Sequence, residues 1–201
     1  MSINNIKTQI KNVVESIDSF NNKLSNYNND KNAIIKNIDF TPETKKSKLE
    51  ELQKSFAEKN KGVYDDINTM LSVLKDLAIE KTEAVLDITD EKLIKTIEFI
   101  NAVNQNINDE LLSDLIKPFI GTPKALTLFK NILITCGAKA NLKTIDKYIQ
   151  SIEPKIKYVD TSLYFAMRDF NNSATANIKK ALETIDEIAE ILGVEIESSE
   201  E

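Results

Sequence analysis

The chain contains no histidine and no tryptophan, a single cysteine, four glycines and four prolines among 201 residues. Each shortage excludes a class of explanation. Without histidine there is no Ser-His triad, no Cys-His pair, no imidazole metal ligand, and no side chain whose ordinary pKa lies near neutrality. A lone cysteine, Cys136, cannot form an intrachain disulfide or a thiolate zinc site, so an oxidising compartment would lend the fold no covalent support. A cytoplasmic protein is the expectation. So few glycines and prolines supply too little turn chemistry for a β-sandwich or barrel. The glycines stand singly at 62, 121, 137 and 193, which excludes a glycine-rich phosphate loop. No stretch reaches the eighteen or so uninterrupted apolar residues of a membrane span, and the opening MSINNIKTQIKN lacks the apolar core of a signal peptide. No enzymatic activity, cofactor or metal is expected from this inventory.

What remains is ample for a helical core. The chain is 41% hydrophobic and 29% charged, with a net charge of -6, well outside the composition of disordered segments. Its strongest pattern is at the start, where Ile3, Ile6, Ile10, Val13, Ile17, Phe20, Leu24, Tyr27, Ile34 and Ile38 recur at spacings of three and four. With Ile3 at position a, the a and d positions are apolar through five heptads, and Lys31 is the only polar intruder. A helix of about 36 residues would extend about 54 Å. The spacing leaves three uses open: internal core, self-association, or a groove for a partner helix. Isoleucine at both a and d favours three or more strands.

The seam breaks at Asp39-Phe40-Thr41-Pro42, where Thr41 suits an N-cap and Pro42 the first helical position. A second amphipathic segment carries Leu49, Leu52, Phe56, Val63, Ile67, Met70, Leu74, Leu77, Ala84 and Ile88, with a stutter near Gly62. Shorter helices follow, punctuated by Pro118, Gly121-Thr122-Pro123 and Gly137, and Pro154 opens a run to Gly193 whose weakest point is Asn171-Asn172-Ser173. The expected fold is all-α: an elongated helical bundle with a coiled-coil-like hairpin over 1–88, a short-helix region over 89–153, a long C-terminal helix over 154–193, and an acidic disordered tail over 194–201.

Few residues suggest chemistry. Lys45, Lys46, Lys48, Lys54, Lys59 and Lys61 form the densest basic stretch, but Glu43, Glu50, Glu51 and Glu58 lie among them and Arg168 is the sole arginine. A nucleic-acid site needs a clustered basic surface that releases counterions, and none is expected here. Cys136, beside Gly137, reads as a small hydrophobe. Carboxylate pairs such as Asp65 with Asp66, or Glu187 with Glu190, arise readily on helices rich in lysine and glutamate.

The heptad-rich start, then FTPETKKSKLEELQKSFAEKNKGVYDDI, then LDITDEKLIKTIEFINAVNQNINDELLSDLIKPFIGTPKALTLFKNI, resembles small helical proteins encoded among the head genes of tailed phages and prophages of low-GC Gram-positive bacteria. Capsid scaffolding and head-associated proteins are the nearest type, and the likeness spans roughly residues 40 to 135 in helix pattern and segment order. It implies an elongated, self-associating, non-enzymatic protein that binds another protein such as a phage coat or head protein. Many such scaffolds bind the coat through a basic C-terminal helix, whereas this chain ends in acidic VEIESSEE. The contact would then lie elsewhere, at Lys45 to Lys61. Two rivals remain: an inhibitor that docks on a host protein through an acidic helical face, and a helical membrane-active toxin.

Overall fold

The structure, a computed structural model, describes residues 3–170 and 173–196. It is all-α, an elongated helical bundle, with no strand among the described residues. The first helix, α1 (Ile3–Lys36), is about 50 Å long. Two helices run back along it, α2 (Pro42–Lys59) and α3 (Val63–Glu83), so the N-terminal third is an antiparallel hairpin. A second hairpin, α8 (Glu153–Asp169) and α9 (Ala174–Leu192), lies against it, with α9 on α1 and α8 on α3.

The seam holds these helices together. Ile6, Ile10, Val13, Ile17, Phe20, Leu24 and Tyr27 alternate at four and three residues and are all buried. They meet Ile67, Leu71, Leu74 and Ala78 of α3, Val159 and Leu163 of α8, and Ile178, Ile185, Ile188 and Leu192 of α9. Each fully buried aliphatic side chain of this kind contributes about 1.5–3 kcal/mol from the removal of apolar surface from water. An aromatic layer closes the far end of this core. Phe56 stacks tilted on Tyr27 at 4.6 Å between ring centroids and takes Phe170 edge-on at 4.9 Å.

A second core is built from α4 (Glu91–Val103), α5 (Asp109–Ile116), α6 (Pro123–Cys136) and α7 (Lys143–Tyr148), around Ile100, Ile107, Leu112, Leu126, Phe129 and Ile145. Two of its helices, α4 and α5, start on conventional caps: Asp90 Oδ1 accepts from Leu93 N, and Asn108 Oδ1 from Leu111 N, both at 2.9 Å. This unit is fastened to the bundle where α1 begins and α3 and α9 end. There Gly121 and Gly193 pass backbone to backbone. A Cβ on Gly121 would stand 2.4 Å from Leu192 O, and one on Gly193 would stand 2.7 Å from Ile120 O, so neither position has room for a side chain. Lysines reinforce the joint by donating to helix-end carbonyls: Lys81 Nζ to Leu192 O, and Lys124 Nζ to Glu83 O at 2.6 Å. Burial holds the Lys81 ammonium below its ordinary pKa. Lys147 on α7 pairs with Glu190 on α9.

The structure revises three local expectations. The segment 43–88 is divided at Asn60-Lys61-Gly62 and its helix ends at Glu83, which leaves Val85 and Ile88 exposed in a loop. The single long helix expected over 154–193 is the α8–α9 hairpin, in which Lys155 pairs with Glu187; such a fold-back buries both apolar faces, which one straight helix could not do. Asn171 and Asn172, the expected weak point, lie outside the described residues. Of the expected acidic tail, Val194 is buried and Ile196 packs on the core, while residues 197–201 lie outside the described residues.

Candidate functional site

The seam continues along α1 after the bundle has ended. Beyond the aromatic layer, α1 and α2 go on alone to the turn at 37–41, and no residue from 28 to 55 is fully buried. Ile34, Leu49 and Leu52 are only half-buried between the two helices, and Lys31 occupies the position where the heptad calls for an apolar residue. Ile35 is 47% exposed and Ile38 is 94% exposed. The accessible surface of the chain, 12438 Å², is about 30% above the roughly 9,500 Å² expected of a compact monomer of this mass. A two-helix projection without third and fourth partners contributes to that excess.

Local chemistry holds the tip in shape. Thr41 Oγ1 accepts from Thr44 N at 3.2 Å, and Pro42 takes the first helical position. In the turn, Asn37 Oδ1 accepts from Asp39 N at 2.8 Å. Lys45 Nζ donates to Ile35 O at 2.8 Å, satisfying a carbonyl in the last turn of α1. Lys48 Nζ lies 5.1 Å from the centre of the Phe40 ring. Between residues 31 and 48 there are five lysines and only two carboxylates, in a chain whose net charge is -6. The tip therefore presents an exposed isoleucine on a segment with a net positive charge.

Of the ten seam residues, seven lie in the chain's own core. Ile34 is half-buried, Ile3 is 51% exposed at the opposite end, and Ile38 forms the tip. The six lysines of the basic stretch divide. Lys45, Lys46 and Lys48 belong to the tip, Lys54 lies midway along α2, and Lys59 and Lys61 sit at the α2–α3 break about 20 Å from Lys46. Sequence reasoning missed Lys36 and Ile35 as members of this surface. The hairpin itself reveals them, because residues that face across it have numbers summing to about 80, as in Gln9 with Met70 and Ile35 with Lys45.

Other candidates are taken up by the fold. Glu187 pairs with Lys155; Glu190 is held below its ordinary pKa mainly by the hydrogen bond from Lys147 and also accepts from Tyr148 at 3.2 Å. Asp65 and Asp66 lie exposed in the first turn of α3, where the helix dipole favours them. Cys136 is half-buried with Sγ 4.0 Å from Asn101 Oδ1. An open groove of about 660 Å³ between α8 and α9 is lined by Lys155, Lys180, Glu183 and Glu187, of which Lys155 and Glu187 pair with each other and Glu183 pairs with Lys179. Among the described residues no group of three or more histidine, cysteine, aspartate or glutamate side chains could hold a metal ion. No described helix is long and apolar enough to cross a membrane. Comparison with family models, curated proteins and solved structures finds no match to the chain.

Proposed function

We propose that this protein is a non-enzymatic assembly component that works by binding another protein and copies of itself, with the hairpin tip as its principal contact surface. The setting we propose, from the resemblance in sequence pattern, is the assembly of a phage head. The observation that carries the reading is the continuation of the α1–α2 hairpin past the end of the four-helix core, where residues 28–55 contain no fully buried side chain and Ile38 is 94% exposed. A hairpin serving only its own fold would end where its partners end, because exposed isoleucine at the tip contributes no burial. The acidic-face inhibitor reading has less support, since Glu187 and Glu190 on α9 are each matched by a lysine.

The test is co-expression with candidate phage coat or head proteins, followed by size-exclusion co-elution. Binding should be lost on Ile38→Asp and weakened on joint replacement of Lys45, Lys46 and Lys48 by Glu, with the helical circular dichroism unchanged. Binding that survives both changes would overturn the assignment of the tip.

A further inference from the structure

At the other end of α1 lies a surface that complements the tip. An open groove of about 680 Å³ is lined by Ile3, Pro118, Ile120, Val194 and Ile196, so its floor is largely apolar. Its charged rim is Asp186, Glu190, Glu195 and Lys117. Glu190 is already matched by Lys147 and Tyr148, whereas among the described residues no cation pairs with Asp186 or Glu195, leaving two carboxylates against the one ammonium of Lys117. Asp186 is held above its ordinary pKa by burial and by Glu183, an environment that a nearby cation would relieve.

We propose that the occupant of this groove is the hairpin tip of a second copy of this chain, docked head to tail with Ile38 in the apolar floor and the tip lysines beside Asp186 and Glu195. This rests on the proposal above that the tip is a contact surface, and names one of its partners. Three features converge on it. The tip offers an exposed isoleucine among five lysines, with Asp39 and Glu43 its only carboxylates, and the groove offers an apolar floor with Asp186, Glu190 and Glu195 against Lys117, so the two surfaces are complementary in apolar character and in sign of charge. The two surfaces terminate one helix about 50 Å long, so a copy docked at one end leaves the other end free. Because the surfaces differ, the contact is heterologous and propagates into a chain of copies instead of closing as a symmetric dimer. A tip only two helices wide buries less than the roughly 1,200 Å² of a permanent interface, so association depends on concentration and, through its charges, on salt.

The experiment is sedimentation velocity on the full chain over a dilution series at low and high salt, with two variants. Ile38→Asp breaks the tip and keeps the groove; Ile3→Asp breaks the groove and keeps the tip. Both residues are largely exposed, and an aspartate in the first turn of α1 suits the helix dipole, so folding is preserved. Glu195→Lys, at an exposed rim position, is a second groove variant. The wild-type mass should rise with concentration above 22.7 kDa at low salt and less at high salt, and Ile38→Asp and Ile3→Asp alone should each stay at 22.7 kDa. An equimolar mixture of those two should reach the mass of two chains and stop, because only one intact tip and one intact groove can meet. Self-association that persists in Ile3→Asp would indicate a symmetric tip-to-tip contact and overturn the proposal. So would a wild type that stays monomeric at every concentration. A monomer whose coat binding is still lost on Ile38→Asp would sink the head-to-tail contact alone and leave the proposed function standing.

Discussion

The α1 seam passes through two environments. Between Ile6 and Tyr27 it packs into the bundle against α3 and α9 and every a and d residue is buried; from Lys31 to its end at Lys36 it has only α2, and neither Lys31 nor Ile34 is buried, nor is Ile38 in the turn beyond. The pattern of residue types scarcely changes across that boundary, apart from Lys31. What changes is the number of neighbours, and the boundary falls at Phe56, Tyr27 and Phe170, where the α8–α9 hairpin turns back. The two ends of the bundle differ in the same way. One end is sealed by the α4–α7 unit with glycine backbones in contact, and the other is closed only by the aromatic layer, beyond which α1 and α2 project alone.

Substitutions along the seam test this contrast most sharply. Ile17→Ala should cost about 2–5 kcal/mol, because it opens a cavity among packed helices, whereas Ile38→Ala should change stability by less than about 0.5 kcal/mol. Urea unfolding followed by circular dichroism would measure both, and similar costs at the two sites would remove the distinction. The next largest effect is expected at the sealed end. Gly121 has a φ of +86° and backbone in the place of a Cβ, so Gly121→Ala should cost about 1–3 kcal/mol and speed amide exchange across α4–α7 before it does so in the bundle. Gly62→Ala, where nothing lies within 4 Å, should show only the conformational penalty of about 1 kcal/mol.

Alkaline pH should separate bundle from tip more gently. Tyr64 OH donates to Asp160 Oδ1 at 2.5 Å, and burial first, then that hydrogen bond and charge, push its phenol up to about 12. Because the folded value lies above the ordinary value of 10, the protonated phenol's contribution is fully present below pH 10 and is lost as pH rises toward 12. Burial raises Tyr27 in the same direction, and residues 28–55 contain no tyrosine. Tyr64→Phe should cost about 1 kcal/mol at neutral pH and flatten the loss of stability between pH 10 and 12 in thermal melts. The smallest effect belongs to the Lys147–Glu190 pair, which is about half exposed: Lys147→Ala should cost about 0–1 kcal/mol, and less in high salt.

Much of the local structure was legible because it rests on short-range chemistry. Thr41 with Pro42 opens α2, and Gly137 and Gly193 end α6 and α9 in left-handed conformations, each readable from a residue and its near neighbours. The α8–α9 turn was less readable, since Ile156 through Leu192 keep helical spacing on both sides of it and periodicity does not report a reversal of direction. The tip was half legible. The lysines of α2 drew notice as a run, but Ile35 and Lys36 join them only because the hairpin folds residues near 35 against residues near 45.

The sequence by itself determined that this chain is helical, where most of its helices begin and end, and that α1 carries one continuous apolar face, because hydrogen bonding within a turn and side-chain spacing along a helix are local properties. Only the tertiary structure decided how much of that face is core and how much remains surface. Burial depends on which other helices arrive beside a residue: Ile17 and Ile34, isoleucines of the same α1 seam, differ because the bundle surrounds the first and only α2 lies beside the second, while Ile38 stands past the end of α1 in the turn.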